Sequence, residues 1–167
     1  MKKFVTADHH FHHRKFVELR GFKNDWDMHN EMIEAWNKKV SRDDTVYHLG
    51  DFSLGNKKEI ANILNKLNGH IILVRGNHDR YAKKKHRFMD IVDYKEIKYL
   101  DKNIIMCHYP FETWNKKHYG SIHLHGHSHG QLRVIENRID VGVDKGDGTF
   151  NFSPINLDEI MEFENVT

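Results

Sequence analysis

Apolar residues in this chain gather in short dense runs, and most runs stop at a cluster of polar residues. Residues 3–7 alternate in a way that predicts a first strand, stopping at Asp8. Over 28–39, Met32, Ile33 and Trp36, with Val40 just beyond, recur at three- and four-residue spacing, the stripe of an amphipathic helix. Residues 45–49 predict a second strand that ends at Gly50-Asp51. A second helix is predicted over 57–67, with Ile60, Ile63, Leu64 and Leu67 on one face and Asn68-Gly69 as its stop signal. A third strand over 70–74 runs into Gly76-Asn77-His78-Asp79. Further strands are predicted over 94–99, 103–107, 121–125, 131–134 and 138–143. Strand-helix-strand-helix-strand followed by strand-rich sequence implies parallel strands early, a mixed sheet later, and an α/β fold with two packed sheets.

The polar clusters sit where strands stop. Asp8-His9-His10 follows the first strand, Gly50-Asp51 the second and Gly76-Asn77-His78-Asp79 the third; His108 follows 103–107, and Gly126-His127-Ser128-His129 follows 121–125. Ligands of open α/β sheets bind outside the carboxyl ends of strands, so such clusters can converge on one site.

Composition sharpens this picture. The chain has 15 histidines in 167 residues, and histidine is the commonest metal ligand. Carboxylate, imidazole and amide carbonyl together suit divalent Mn, Fe, Ni, Co or Zn, whereas a thiolate site is excluded by the single cysteine, Cys107. The spacings Asp8/His10 and His127/His129 place two donors on one side of an extended segment. Gly50, Gly76 and Gly126 stand immediately before donors, where a tight turn or close backbone approach excludes a Cβ.

Taken in order, Asp-x-His, Gly-Asp, Gly-Asn-His-Asp, a separate His and Gly-His-x-His resemble the calcineurin-like metallophosphoesterase family over residues 8–129. Asp8-His9-His10-Phe11-His12-His13 is similar to the opening of its small, uncapped bacterial and phage-type members. The resemblance implies two mixed β-sheets packed as a sandwich flanked by helices. It also implies two divalent cations, manganese first among the candidates: Asp8, His10, Asp51 and His129 hold one, Asp51, Asn77, His108 and His127 the other, and Asp51 bridges. The implied reaction is in-line hydrolysis of a phosphomonoester or phosphodiester by a water bridging two ions ~3.5–4 Å apart. His78 is then the general acid and Asp79 the residue that orients its ring.

Other positions keep two readings. His13 reaches the substrate phosphate or packs behind the site; Arg75 clamps a phosphate or forms a surface ion pair; Trp114 walls the cleft or fills the core. Trp36 is expected in the core, and Asp140 and Asp144 are expected to be structural. His9, His12, His123 and His125 have no assigned role, a one-residue slip would exchange His9 with His10, and His29, His48, His70, His86 and His118 are expected to be surface or structural. The inserts over 14–27 and 111–120 are the expected cleft walls, and the lack of a sizeable cap insertion implies an open cleft.

Length fits one domain, and the lack of an apolar stretch long enough to cross a membrane, with a single cysteine that agrees with a reducing compartment, leads to the expectation of a cytoplasmic protein with no membrane partner. The net charge of +2 decides little about partners. The expected partner is a phosphate-ester substrate, a small molecule or nucleotide. The basic run over 80–87 is the sequence support for the alternative of a nuclease acting on DNA or RNA, although such runs are usually solvated faces. A non-catalytic scaffold would have lost ligands or the general acid, and a storage protein would carry a His-rich tail; this chain has neither signature.

Overall fold

The computed structural model describes residues 1–82 and 87–164. Residues 83–86 of the basic run, His86 among them, lie outside the described residues.

The first sheet has the order β4-β3-β2-β1-β9. Its strands β1 (Lys3–Thr6), β2 (Thr45–His48), β3 (His70–Val74) and β4 (Asp90–Val92) are parallel, and β9 (Ile155–Asn156) runs antiparallel to β1. The second sheet has the order β5-β6-β7-β8, from Lys95–Tyr99, Lys102–Met106, Ile122–His125 and Arg138–Asp140. Here β5 is antiparallel to β6 and the remaining neighbours are parallel, so both sheets are mixed.

Period-two alternation explains the layering. Phe4, Val46, Ile71 and Leu73 face α2 (Asp25–Lys39) and α3 (Lys57–Leu64), burying Met28, Met32, Trp36, Ile60 and Leu64. Val5, Tyr47, Ile72 and Val74 on the other face meet Ile104, Met106, Ile122 and Leu124 of the second sheet, with Leu157 and Ile160 of α4 (Leu157–Glu164) closing the layer. The chain is therefore an α/β sandwich of two mixed sheets flanked by helices, as expected. No helix of the described residues is long and apolar enough to cross a membrane.

Several boundaries differ from expectation for local reasons. α2 begins before residue 28 because Asn24 caps it, its side chain accepting the Asp27 amide at 2.9 Å. α3 opens on a capping box between Asn56 and Glu59 but stops at Leu64, short of the predicted 67. The Arg87 guanidinium donates to the Leu64 carbonyl (2.9 Å) and Asn37 to that of Lys66 (2.8 Å), so the chain ends its helix without waiting for Gly69. The strand predicted over 131–134 is irregular, and Val134 is almost fully exposed. Helix α1 (Arg14–Leu19), β4, β9 and α4 were not predicted.

Candidate metal centre

The carboxyl ends of β1, β2, β3, β6 and β7 open on one cavity of about 750 Å³, which His10, His13, Asp51, Asn77, His78, His127 and His129 help to line. Asp8, His10 and His129 offer ligand atoms within 4.8 Å of one another, and so do Asp51, His108 and His127. Asn77 Oδ1 lies 3.2 Å from His108 Nε2 and so joins the second group. Between the groups, Asp51 Oδ2 is 3.7 Å from His10 Nε2 and 3.6 Å from His108 Nε2. All seven residues expected to ligate thus lie together, with Asp51 in the middle.

The backbone is bent to achieve this. Among the described non-glycine residues with positive φ are Asp8 (60°), His10 (53°), Asp51 (53°), His127 (70°) and His129 (49°). Such conformations cost on the order of 1–3 kcal/mol each and cluster at functional sites. The extended-segment reading of the paired donors is therefore corrected: each pair does share a side, but through left-handed turns. The turns are tied together, with the Asp8 amide on the Gly50 carbonyl (3.0 Å), the His10 amide on the Asp51 carbonyl (3.0 Å) and Asp8 Oδ2 accepting the His127 amide (2.9 Å). Packing is close enough to require glycine: a Cβ on Gly126 would stand 2.7 Å from Asp8 Oδ2, and one on Gly50 (φ +92°) 2.5 Å from His108 Nδ1.

Electrostatics favour a cation here. Burial, with Asp140 and Asp51 nearby, pushes the Asp8 carboxyl well above the usual carboxylate range. Burial, then His129, Arg20, His13 and His78, holds the His10 ring far below the ordinary imidazole value, so it is neutral, as a ligand must be. Burial also lowers His108, against the opposing pull of Asp51. Asp8 Oδ1 and both ring nitrogens of His10 are buried with no hydrogen-bond partner among the described residues, an arrangement that costs free energy unless a further group binds there. Ring orientation is fixed from behind: His108 Nδ1 meets the Leu49 carbonyl at 2.8 Å and His129 Nδ1 meets Asp144 at 2.7 Å, leaving each Nε2 toward the cavity. The donor set and its buried orphans fit divalent cations.

The remaining site residues divide. His78 lines the cavity with its Nε2 3.9 Å from Asp51 Oδ2. Asp79 does not orient that ring. Both of its oxygens are taken by backbone amides, those of Asp51 (2.8 Å), Phe52 (2.9 Å) and Gly76 (2.8 Å), so it clamps two turns together. Burial raises its carboxyl to about 6 despite these donors. His13 lines the cavity, its ring 5.7 Å from that of His78. Arg75 is a surface residue instead, paired with Asp93 at 3.1 Å.

Trp114 is buried and donates to Ser121, so it packs and does not wall the cleft. Of the two expected walls, the first contributes Lys15, Phe16 and Leu19, whereas the second role falls to Pro110, Gln131 and Leu132. His9 pairs with buried His48 at 3.0 Å, whereas His10 stands with Asp8 and His129 in the first donor group. His125 is turned onto the Gly126 carbonyl at 2.8 Å, and His12 contacts Ser53 at 3.3 Å.

Sequence reasoning missed Arg20 and gave no role at the site to Asp140 and Asp144. Asp140 accepts the Ser128 hydroxyl (2.6 Å) and the Gly130 amide (2.9 Å), shaping the turn that carries His127 and His129. Asp144 is drawn down to about 2, hydrogen bonds from His129 and Arg20 outweighing its burial. Acidic residues at and just beyond the end of β8 were the available signal; Arg20, capping an unpredicted helix, had none.

Comparison with known proteins adds a family. The model of the calcineurin-like phosphoesterase superfamily domain matches residues 1–147. An uncharacterized protein of Methanocaldococcus jannaschii, MJ1445, is 29% identical over 172 residues, covering 96% of this chain and 90% of its own. The gene 66 protein of Mycobacterium phage D29 is 28% identical over 196 residues, covering 97% and 95%. The solved structure of AQ665, a protein of unknown function from Aquifex aeolicus, superposes with a TM-score of 0.73 at 27% identity, covering 97% of this chain and 98% of its own.

Proposed function

Because this chain belongs to the calcineurin-like phosphoesterase superfamily, matched over residues 1–147, we propose that it hydrolyses phosphate esters with two divalent cations. Asp8, His10, Asp51 and His129 hold the first cation, and Asp51, Asn77, His108 and His127 the second. The observation that carries this reading is the position of Asp51 Oδ2, 3.7 Å from His10 Nε2 in one donor group and 3.6 Å from His108 Nε2 in the other. Manganese is the leading candidate, with nickel, iron, cobalt and zinc compatible with the same donors.

Bound cations at such a site acidify a water, polarise phosphoryl oxygens and offset charge in the transition state. The chain's own residues supply the rest. His78, beside Asp51 on the cavity wall, gives a proton to the departing oxygen as its bond to phosphorus breaks, and water contributes the new P–O bond. His13 stands where it can meet a phosphate oxygen. Asp79 holds the Asp51 and Gly76 turns in register, so that Asp51 and His78 keep their spacing. The open cavity admits either a monoester or a diester, of a small molecule or a nucleotide.

The test is a panel on chelator-treated, metal-reloaded protein: aryl phosphate, bis-aryl phosphate, cyclic nucleotides and short oligonucleotides. Activity lost in chelator and restored by about two equivalents of manganese supports the reading. Full-rate hydrolysis in chelator overturns it. Cleavage confined to oligonucleotides would make the enzyme a nuclease.

A further inference from the structure

Helix α1 and its C-cap residue Arg20 reach the donor groups at two points, one turn apart. The Phe16 ring lies flat on the His10 ring, centroids 4.0 Å apart and planes 7° from parallel, and 5.1 Å from the His129 ring. Four residues on, the Arg20 guanidinium is almost wholly enclosed. Its Nε and Nη2 donate to the two oxygens of Asp144, each at 2.9 Å, while Nη2 and Nη1 donate to the carbonyls of Asp8 and His9, each at 2.8 Å. Asp144 Oδ2 in turn stands 2.7 Å from His129 Nδ1.

We propose that Arg20 and Asp144 are positioning residues that assemble the first cation site: Asp144 fixes the His129 ring, and Arg20 locks Asp144 to the turn carrying Asp8 and His10. This rests on the two-cation reading above. Arg20 thereby links the carbonyls of Asp8 and His9 to the carboxylate that holds His129. The fork geometry needs arginine, because a lysine ammonium cannot serve two carboxylate oxygens and two carbonyls at once. In the second group His108 is oriented independently of this brace, by the Leu49 carbonyl. Loss of Arg20 or Asp144 therefore separates the two cation sites.

Manganese titrated into the metal-free full chain, followed by calorimetry and electron paramagnetic resonance, tests this. Wild type is expected to take up two ions and give the signal of a coupled pair. In Asp144→Leu and Arg20→Met, affinity for one ion should fall about 10–100-fold, with the other retained and the signal becoming that of isolated manganese. Asp144→Asn, which keeps an acceptor for His129, should recover much of the loss, a rescue that general destabilisation would not give. If Arg20→Met does not fold, Arg20→Lys and the two Asp144 variants decide. Folded variants that bind a coupled pair with wild-type affinity overturn the brace alone. A wild-type chain that binds no pair overturns the two-cation reading and the brace with it.

Discussion

Asp79 Oδ2 accepts the backbone amide of Asp51 at 2.8 Å, so the residue after the candidate general acid holds the main chain of the candidate bridging ligand. The same carboxylate takes the amides of Gly76 and Phe52. Asp79→Ala would strand these donors in a buried place, where each lost partner costs ~1–3 kcal/mol. The expected result is a fall in unfolding free energy on the order of 3 kcal/mol or more, read from urea titration of metal-free protein. Asp79→Asn keeps one acceptor oxygen and should lose less. A change below ~1 kcal/mol in the alanine variant would mean that the clamp is not needed.

Asp51→Ala should be the most damaging single change to metal binding. Its carboxylate lies between the two donor sets, close to both His10 and His108. Elemental analysis after dialysis should give about two ions for wild type and less than one for the variant. Two retained ions would remove the shared-ligand assignment.

His78→Gln should behave differently. The ring stands 3.9 Å from Asp51 and is partly exposed at the cavity wall, so its loss leaves the donors in place. Metal content should be unchanged while turnover of alkyl phosphate esters falls ~10²–10⁴-fold. Aryl esters with good leaving groups, which need little protonation, should lose far less. Equal losses on both substrate types would argue against proton donation.

The parts legible in the sequence were those with a strong local period or a motif of fixed order. Trp36 and Ile60 declared their helix faces by spacing, and both are buried as expected. The ligand set was legible because polar residues interrupted apolar strands at their carboxyl ends. What stayed hidden was set by tertiary contact. Leu67 looks helical, yet the bonds of Arg87 and Asn37 to nearby carbonyls let α3 end early. The 131–134 segment alternates like a strand but pairs with no edge of the described sheets, and its Gln131 and Leu132 line the cavity instead. Arg20 caps the C-terminus of a six-residue helix too short to show a helical period, and its partners are carbonyls and an aspartate 124 residues away.

Outside the donor groups, His123 couples the stability of the fold to pH. His123 is fully buried, stacked on Phe111 with ring centroids 4.9 Å apart. Its Nε2 accepts the Phe111 amide at 3.0 Å, so the proton sits on Nδ1, 3.2 Å from the Ile105 carbonyl. A second proton would turn Nε2 from acceptor of the Phe111 amide into a donor toward the Tyr109 carbonyl, 3.2 Å away, and leave that buried amide unpaired. Burial accordingly lowers the ring to about 4. The unfolded chain, with histidine near 6.5, binds the proton first as pH falls. Stability from this group is therefore full above about 6.5 and is lost progressively down to about 4. Between pH 7 and 5 the loss from His123 alone should be roughly 1.5–2 kcal/mol. Urea titrations of metal-free protein at both values should show it. His123→Gln can keep an acceptor for the Phe111 amide but does not titrate, so it should flatten the profile by that amount. An unchanged slope in the variant would mean that His123 is protonated in the folded chain at pH 5.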